Sequence, residues 1–524
     1  MTQQAVSILD TTLRDGEQGE GISFTVKDKL KITQLLDNLG VQYIEGGWPG
    51  SNPKAVEYFN QVKTLPLKHA KIAAFGSTRR AKNTPENDPN LQALIKAETP
   101  VVVIFGKTWD FHVTHALKIS LEENLALIYD SVAFLKSHGR EVIFDSEHFF
   151  DGFKRNPEYA LKAVCAAYEG GADILCLCDT NGGSLPSDIQ AATQTVCQKF
   201  DRMVGIHAHN DGGMGTAISI AAVDGGARHV QGTLNGYGER CGNANLSTII
   251  PNLLVKKGLS CISYDHLKEL TPISRHLDEI ANISHNDFLP YVGRSAFAHK
   301  AGVHVSAVLK HPETYEHIDP TLVGNSQRIL VSELSGVSNL LYKAQEYGIS
   351  VSADSSQLPL LLKEIKTMEN AGYQFEEAEA SFELLMKRFL EDFKPIIELQ
   401  SYRVITEKHG DDKSLLEATI KAKIAGKLVH IVGEGNGPVS SLDHALRRSL
   451  EPIFHAIKNV HLVDYKVRVL NSKDGTDAKV RVLIESTDGT RSWGTVGVSE
   501  NVIEASWKAL VDSFEYKLLG EPEL

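Results

Sequence analysis

At 524 residues, 42% apolar and 23% charged, the chain is too long for one core and has the composition of a globular protein of roughly two to four domains. Its net charge of −12 speaks against nucleic acid or an anionic membrane surface as a partner. No apolar run reaches the length of a membrane span.

The N-terminal "MTQQAVSILDTTLRDGEQ" lacks a basic region followed by an apolar one, so no secretory signal is expected. Short apolar runs then alternate with helical patterns up to about residue 235. Strands are expected at 6–10, 41–47, 71–76, 101–106, 141–147, 173–180, 203–209 and 229–234, as apolar runs bounded by turn residues. Among the intervening helices, "TVKDKLKITQLLDNLG" starts at an N-cap, Thr25, and stops at Gly40; two others stop at Gly139 and Gly170. Eight strands with helices between them give a (β/α)8 barrel. A doubly wound open sheet would carry a glycine-rich phosphate loop after its first strand, and "ILDTTLRDGEQGEG" does not have that spacing.

Residues 271–400 alternate helical patterns with a His-rich polar stretch and read as a helical linker region. After 400 the pattern changes to strand, turn, strand, helix, twice over, with "TDGT" as a hairpin turn. The expected division is a catalytic α/β barrel over 1–270, linker subdomains over 271–400 and a C-terminal α+β regulatory domain over 401–524. The six cysteines, at 165, 176, 178, 197, 241 and 261, form no C-x-x-C pair and read as reduced core thiols of a cytoplasmic protein.

Barrel enzymes place their chemistry where strands end. The expected strand ends deliver Asp10, Arg14, Asp15, Glu45, Asp145, Glu147, Asp179, Thr180, His207, His209, Asn210 and Asp211, and a glycine-rich turn with Glu239, Arg240 and Asn243 follows the last strand. In "GIHAHND" the two histidines stand at i and i+2, which share one face of a strand. With 20 His in 524 residues, chance alone supplies about 0.8 such pairs, so the pattern by itself does not decide for a metal site.

Together, "LDTTLRDGEQ", "HAHND" and "GERCGNANL" resemble the family that condenses 2-keto acids with acetyl-CoA: the isopropylmalate, homocitrate and citramalate synthases. "HKAGVHVSAVLKHPETYE", "SELSG" and "GEGNGPV" extend the likeness over nearly the whole chain. "YIEGGWPGSNPK", "AFGSTRR", "FGKTWDFHV" and "EHFFDG" lean toward the citramalate synthases. The resemblance implies a divalent metal on Asp15, His207, His209 and Asn243. Two nitrogen ligands favour Mn2+ or Zn2+ over Mg2+.

It further implies pyruvate as the keto acid and acetyl-CoA as co-substrate. Arg14 would stabilise charge on oxygen, with an ion pair to Glu45 as its alternative reading; Gln18 and Thr180 would bind substrate. His304, by itself a surface residue of a polar stretch, would act with Glu147 as the base, and Tyr315 would assist later steps. Trp48, Phe105 and Phe149 would crowd the keto acid's side chain, unless they are barrel core. The family's linker reaches over a partner's barrel, implying a homodimer, and its last domain implies isoleucine as effector, held at "GEGNGPVSS". An isopropylmalate or homocitrate synthase, a carbon–carbon lyase on the same barrel, or a non-catalytic amino-acid sensor are the competing readings. Asp145 and His148 have no assigned role.

Overall fold

The computed structural model describes residues 5–519 except 333, 392, 409, 411–414 and 471–477; Glu333 of "SELSG" therefore lies outside the described residues. Eight parallel strands, β1 (Ser7–Asp10), β2 (Tyr43–Gly47), β3 (Lys71–Ser77), β4 (Val101–Lys107), β5 (Glu141–Glu147), β6 (Ile174–Asp179), β7 (Met203–Ala208) and β8 (His229–Gly232), close into a barrel in sequence order. Closure is made by β1 on β8, with Leu9 beside Gln231.

Alternation along the strands sorts side chains between two cores. Val102, Ile104, Val142, Phe144, Leu175 and Ile206 face the surrounding helices. Leu9, Phe75, Val101, Val103, Ile143 and Cys176 fill the barrel interior. The same inward face at the C-terminal strand ends carries the polar residues, and that is how a packed barrel acquires a site at one mouth.

Local chemistry sets the helix boundaries. Thr25 caps the Val26–Leu39 helix in a reciprocal box with Asp28, and Gly40 ends it at φ 86°, a conformation only glycine adopts without strain. The helices at Pro53–Val62, Pro89–Lys96, Pro157–Glu169 and Pro186–Lys199 each open on proline, whose missing N–H is spare in the first turn. Gly139 takes φ 71° as a helix stop, but at the next stop it is Gly171 (φ 95°), not Gly170, that turns left-handed. Among the described residues no helix is long and apolar enough to cross a membrane.

Packing forms two compact units. The first comprises the barrel with its following segments through Phe297, and residues 317–327. The second comprises residues 298–316 and the described chain from Arg328 onward. Within the second, β9 (Ala298–His299) pairs with β10 (Arg328–Ile329), and helices run over Gly302–Val308, Val337–Glu346, Gln357–Asn370 and Glu379–Leu390. Two antiparallel three-stranded sheets follow, each with a helix after it: β11 (Ile397–Glu407), β12 (Leu415–Ile424), β13 (Lys427–Gly435), helix Pro438–Leu450, and β14 (His461–Val469), β15 (Val480–Thr487), β16 (Ser492–Ser499), helix Val502–Leu518.

Each unit thus gains a leading strand over the expected strand–turn–strand–helix. Both β11 and β14 are edge strands, largely exposed along their length, so neither carries the apolar alternation that marks a half-buried strand. The "TDGT" turn forms as expected, with Asp488 accepting from the Thr490 and Arg491 amides. No cysteine is in a disulfide among the described residues; Cys176, Cys178 and Cys261 are buried, but Cys241 is exposed, correcting the core reading for that thiol, because it lies in the polar turn after β8 rather than on an apolar strand.

Candidate active site

The loop after β1 is fixed from below by a buried lysine. Lys29 donates to the carbonyls of Leu13 (2.7 Å) and Gly46 (3.2 Å) and pairs with Glu17 at 2.5 Å. One cation thereby ties the ends of β1 and β2 together and sets Arg14 and Asp15 at the barrel mouth. Asp10, fully buried, accepts from Thr12 and from the Leu234 amide; it joins β1 to the turn after β8 and does not face the cavity.

That cavity, of about 250 Å³, is lined by Arg14, Asp15, Gln18, Glu147, Thr180, His207 and His209, and also by Asp145, Glu239 and Arg240. His207 and His209 project from one face of β7 and its extension, their ring centroids 5.3 Å apart. His207 Nε2 lies 3.6 Å from Asp15 Oδ2. The Asn243 amide nitrogen is 3.3 Å from that same oxygen and 3.4 Å from His207 Nε2. His209 and Asn243 are also bridged through their backbones. The four expected ligands therefore converge.

Their chemistry fits a divalent cation. Asn243 Oδ1 and His209 Nδ1 are both buried without a hydrogen-bond partner, a costly state unless another group completes them. Burial, with His207 adding to it, lowers His209 to about 4, so its imidazole is neutral at pH 7. Burial alone would raise Asp15, but the Arg14 guanidinium beside it holds its carboxyl below the usual range. One anionic oxygen, two imidazole nitrogens and an amide oxygen are a donor set for Mn2+ or Zn2+. Elsewhere in the barrel interior, the Asp145 carboxylate and the Cys176 and Cys178 sulfurs lie within 4.8 Å of one another. Burial pushes the Cys178 thiol up to about 11 and the Cys176 thiol well above its ordinary value.

Arg14 makes the ion pair with Glu45 and also faces the cavity. Its Nε donates to Glu45 at 2.5 Å, its Nη1 pairs with Asp15, and it lies 3.7 Å over the Phe75 ring while lining the cavity. Burial drives Glu45 up to about 8 against the pull of Arg14. Thr180 Oγ1 accepts from the His148 amide at 2.9 Å, which leaves its own hydrogen for a ligand. Glu147 pairs with Lys107.

Other expected rim residues are occupied in holding loops. Asp179 accepts from Ser184, Asn210 caps the helix at Gly215, and Asp211 grips Arg240 at 2.7 Å. His148 pairs with Asp151 at 3.0 Å. His304 and Tyr315 belong to the second unit, their rings 4.2 Å apart, both exposed.

The aromatic wall differs from expectation by one residue. Trp48 and Phe105 line the cavity, but Phe149 is in the core between barrel and helices, because it opens the helix after β5 and faces inward to the sheet's outer surface. Phe75 takes its place: it stacks on Phe105 at 5.6 Å and meets Trp48 edge-on at 5.7 Å. It occupies the inward register of β3 two residues beyond Ala73, a signal available from strand alternation alone.

Residues 5–277 match the HMGL-like family, residues 291–372 the homocitrate synthase post-HMGL domain-like family, and residues 376–518 the LeuA allosteric (dimerisation) domain. The chain is 55% identical to an (R)-citramalate synthase of Geobacter sulfurreducens, covering 99% of this chain and 98% of that one. It is likewise 55% identical to the (R)-citramalate synthase of Aquifex aeolicus, over 99% of both. A 2-isopropylmalate synthase of Methanocaldococcus jannaschii is 30% identical over 99% of this chain and 95% of its own.

Proposed function

The chain belongs to the (R)-citramalate synthases of the isopropylmalate and homocitrate synthase family, and we propose that it condenses pyruvate with acetyl-CoA to (R)-citramalate and CoA in the route to isoleucine, in the cytoplasm. The observation that carries this reading is the convergence of Asp15, His207 and His209 with Arg14, Glu147 and Thr180 on one cavity of about 250 Å³, with Asn243 beside Asp15 and His207. The division into a catalytic segment (1–270), a linker (271–400) and a regulatory segment (401–524), acting as a homodimer, belongs to the same proposal.

A divalent cation on the four ligands would supply Lewis acidity at the keto carbonyl. Arg14, anchored by Glu45, stabilises the oxygen that gains negative charge when the carbonyl carbon is attacked. Thr180 donates its hydroxyl hydrogen to the keto acid's carboxylate, and Gln18 closes the same side. Glu147 takes a proton from the acetyl methyl group, a step for which the family resemblance also names His304. The resulting carbanion forms the new carbon–carbon bond, with Tyr315 assisting the later steps, and water then releases CoA from the thioester. Product analysis tests the reading: citramalate of R configuration and CoA in equal amounts are expected from pyruvate and acetyl-CoA, and absence of citramalate from a folded, metal-loaded protein would overturn it.

Trp48 sets the room beside the keto carbon, with Phe75 and Phe105 behind it. Trp48→Ala is expected to shift the ratio of kcat/KM for pyruvate over 2-ketoisovalerate roughly 10- to 100-fold toward the larger acid, the scale of one or two methylenes in an apolar pocket. An unchanged ratio removes Trp48 from substrate choice. The "GEGNGPVSS" turn opens the Pro438–Leu450 helix with no side-chain cap on its first amides, which supports binding of an amino-acid carboxylate there. Isoleucine is expected to lower the rate and raise the melting temperature; if it does neither, the effector is a different molecule.

A further inference from the structure

We propose that Gln231 and Asp145 are positioning residues that fix the ring tautomer of His207 and so keep its Nε2 open toward the cation. The proposal deepens the metal-site reading above and rests on it.

Gln231 is fully buried on β8, in register with His207 on β7. Its Oε1 lies 2.8 Å from His207 Nδ1, and its Nε2 donates to Asp145 Oδ1, also at 2.8 Å. An amide has one accepting end and one donating end. A carboxylate oxygen accepts, so Asp145 draws the NH2 end toward itself and leaves the carbonyl end facing the imidazole. The neighbouring Cys176 and Cys178 sulfurs are weak acceptors and do not compete for the amide hydrogens.

With Oε1 at Nδ1, the ring proton must sit on Nδ1. The lone pair is then on Nε2, the nitrogen that faces Asp15 and Asn243. The reversed amide would offer N–H to Nδ1 and force the proton onto Nε2, aimed at the ligand set. A carboxylate on β5 thereby selects the nitrogen on β7 that can bind a cation, in the way that groups behind metal ligands generally orient them.

The test is Mn2+ affinity of the metal-stripped full chain, measured by chelator competition without reference to turnover. Gln231→Leu and Asp145→Asn are each expected to raise the Kd roughly 10- to 100-fold. Asp145→Asn is nearly isosteric and can present its own N–H to Gln231, so it decides the matter even if Gln231→Leu folds poorly. Gln231→Glu, which still accepts at Nδ1 and can pass its own proton to Asp145, is expected to stay within about threefold of the parent chain. Because both residues act through one hydrogen bond, the double variant is expected to bind no more weakly than Gln231→Leu alone; a purely structural role would make the losses add. Near-parental Kd values in both single variants, while His207→Ala loses binding, would overturn the proposal and leave the metal site standing. Parental affinity in His207→Ala would overturn both.

Discussion

His207→Ala is expected to lower kcat for CoA release by about 10³-fold or more, with the protein still folded. The ring contributes one of two nitrogen donors to the proposed ligand set and is buried at 5% exposure between Asp15 and Asn243. Lewis-acid polarisation of a carbonyl is worth several kcal/mol, and at about 1.4 kcal/mol per tenfold a loss of some 4 kcal/mol is three powers of ten. The residual rate should no longer respond to Mn2+ or to a chelator. A variant that keeps metal-stimulated turnover within tenfold of the parent would remove His207 from the ligand set. Since β7 places His207 and His209 on one face, His209→Ala serves as the internal comparison and should behave alike.

Glu147→Gln is expected to lower kcat by about 10²- to 10⁴-fold, the range for a removed general base, with Mn2+ affinity and the KM for pyruvate little changed. Glutamine keeps the shape of the side chain and loses only its basicity. It also leaves Lys107 without its carboxylate, so Lys107→Met is the necessary control. That variant retains the base and should lose less than tenfold. An equal loss in both would assign the effect to the ion pair and take the proton-abstracting role away from Glu147.

The barrel is legible because two periodicities agree along it. Strands such as 101–107 and 141–147 combine an outward apolar row with an inward row, and caps such as Thr25 and Gly40 punctuate the helices between them. The residues that converge at its mouth are legible for the same reason, since strand ends in a barrel share one rim. What stays hidden is long-range pairing. Gln231 is separated from Asp145 by 86 residues and from His207 by 24, and no local pattern marks a hydrogen-bond chain across three strands. The Arg14–Glu45 pair is the contrast: both side chains stand at neighbouring strand ends, so that contact is readable from the sequence.

Two other differences have local causes. Phe149 lies just beyond a strand end, but the helix that begins there turns the ring away from the cavity. The strands β11 and β14 escape a reading based on apolar alternation because their side chains are mostly solvated. Edge strands are specified by the backbone of their neighbours as much as by their own side chains.

The most direct test is thiol release from acetyl-CoA with pyruvate, 2-ketobutyrate, 2-ketoisovalerate and 2-ketoglutarate in parallel, each with Mn2+ and after chelation. Metal-dependent release that is much faster with pyruvate than with the other three acids is the predicted result. A preference for 2-ketoisovalerate or 2-ketoglutarate would contradict the substrate, and release with none of the acids from a folded, metal-loaded protein would contradict the condensation itself.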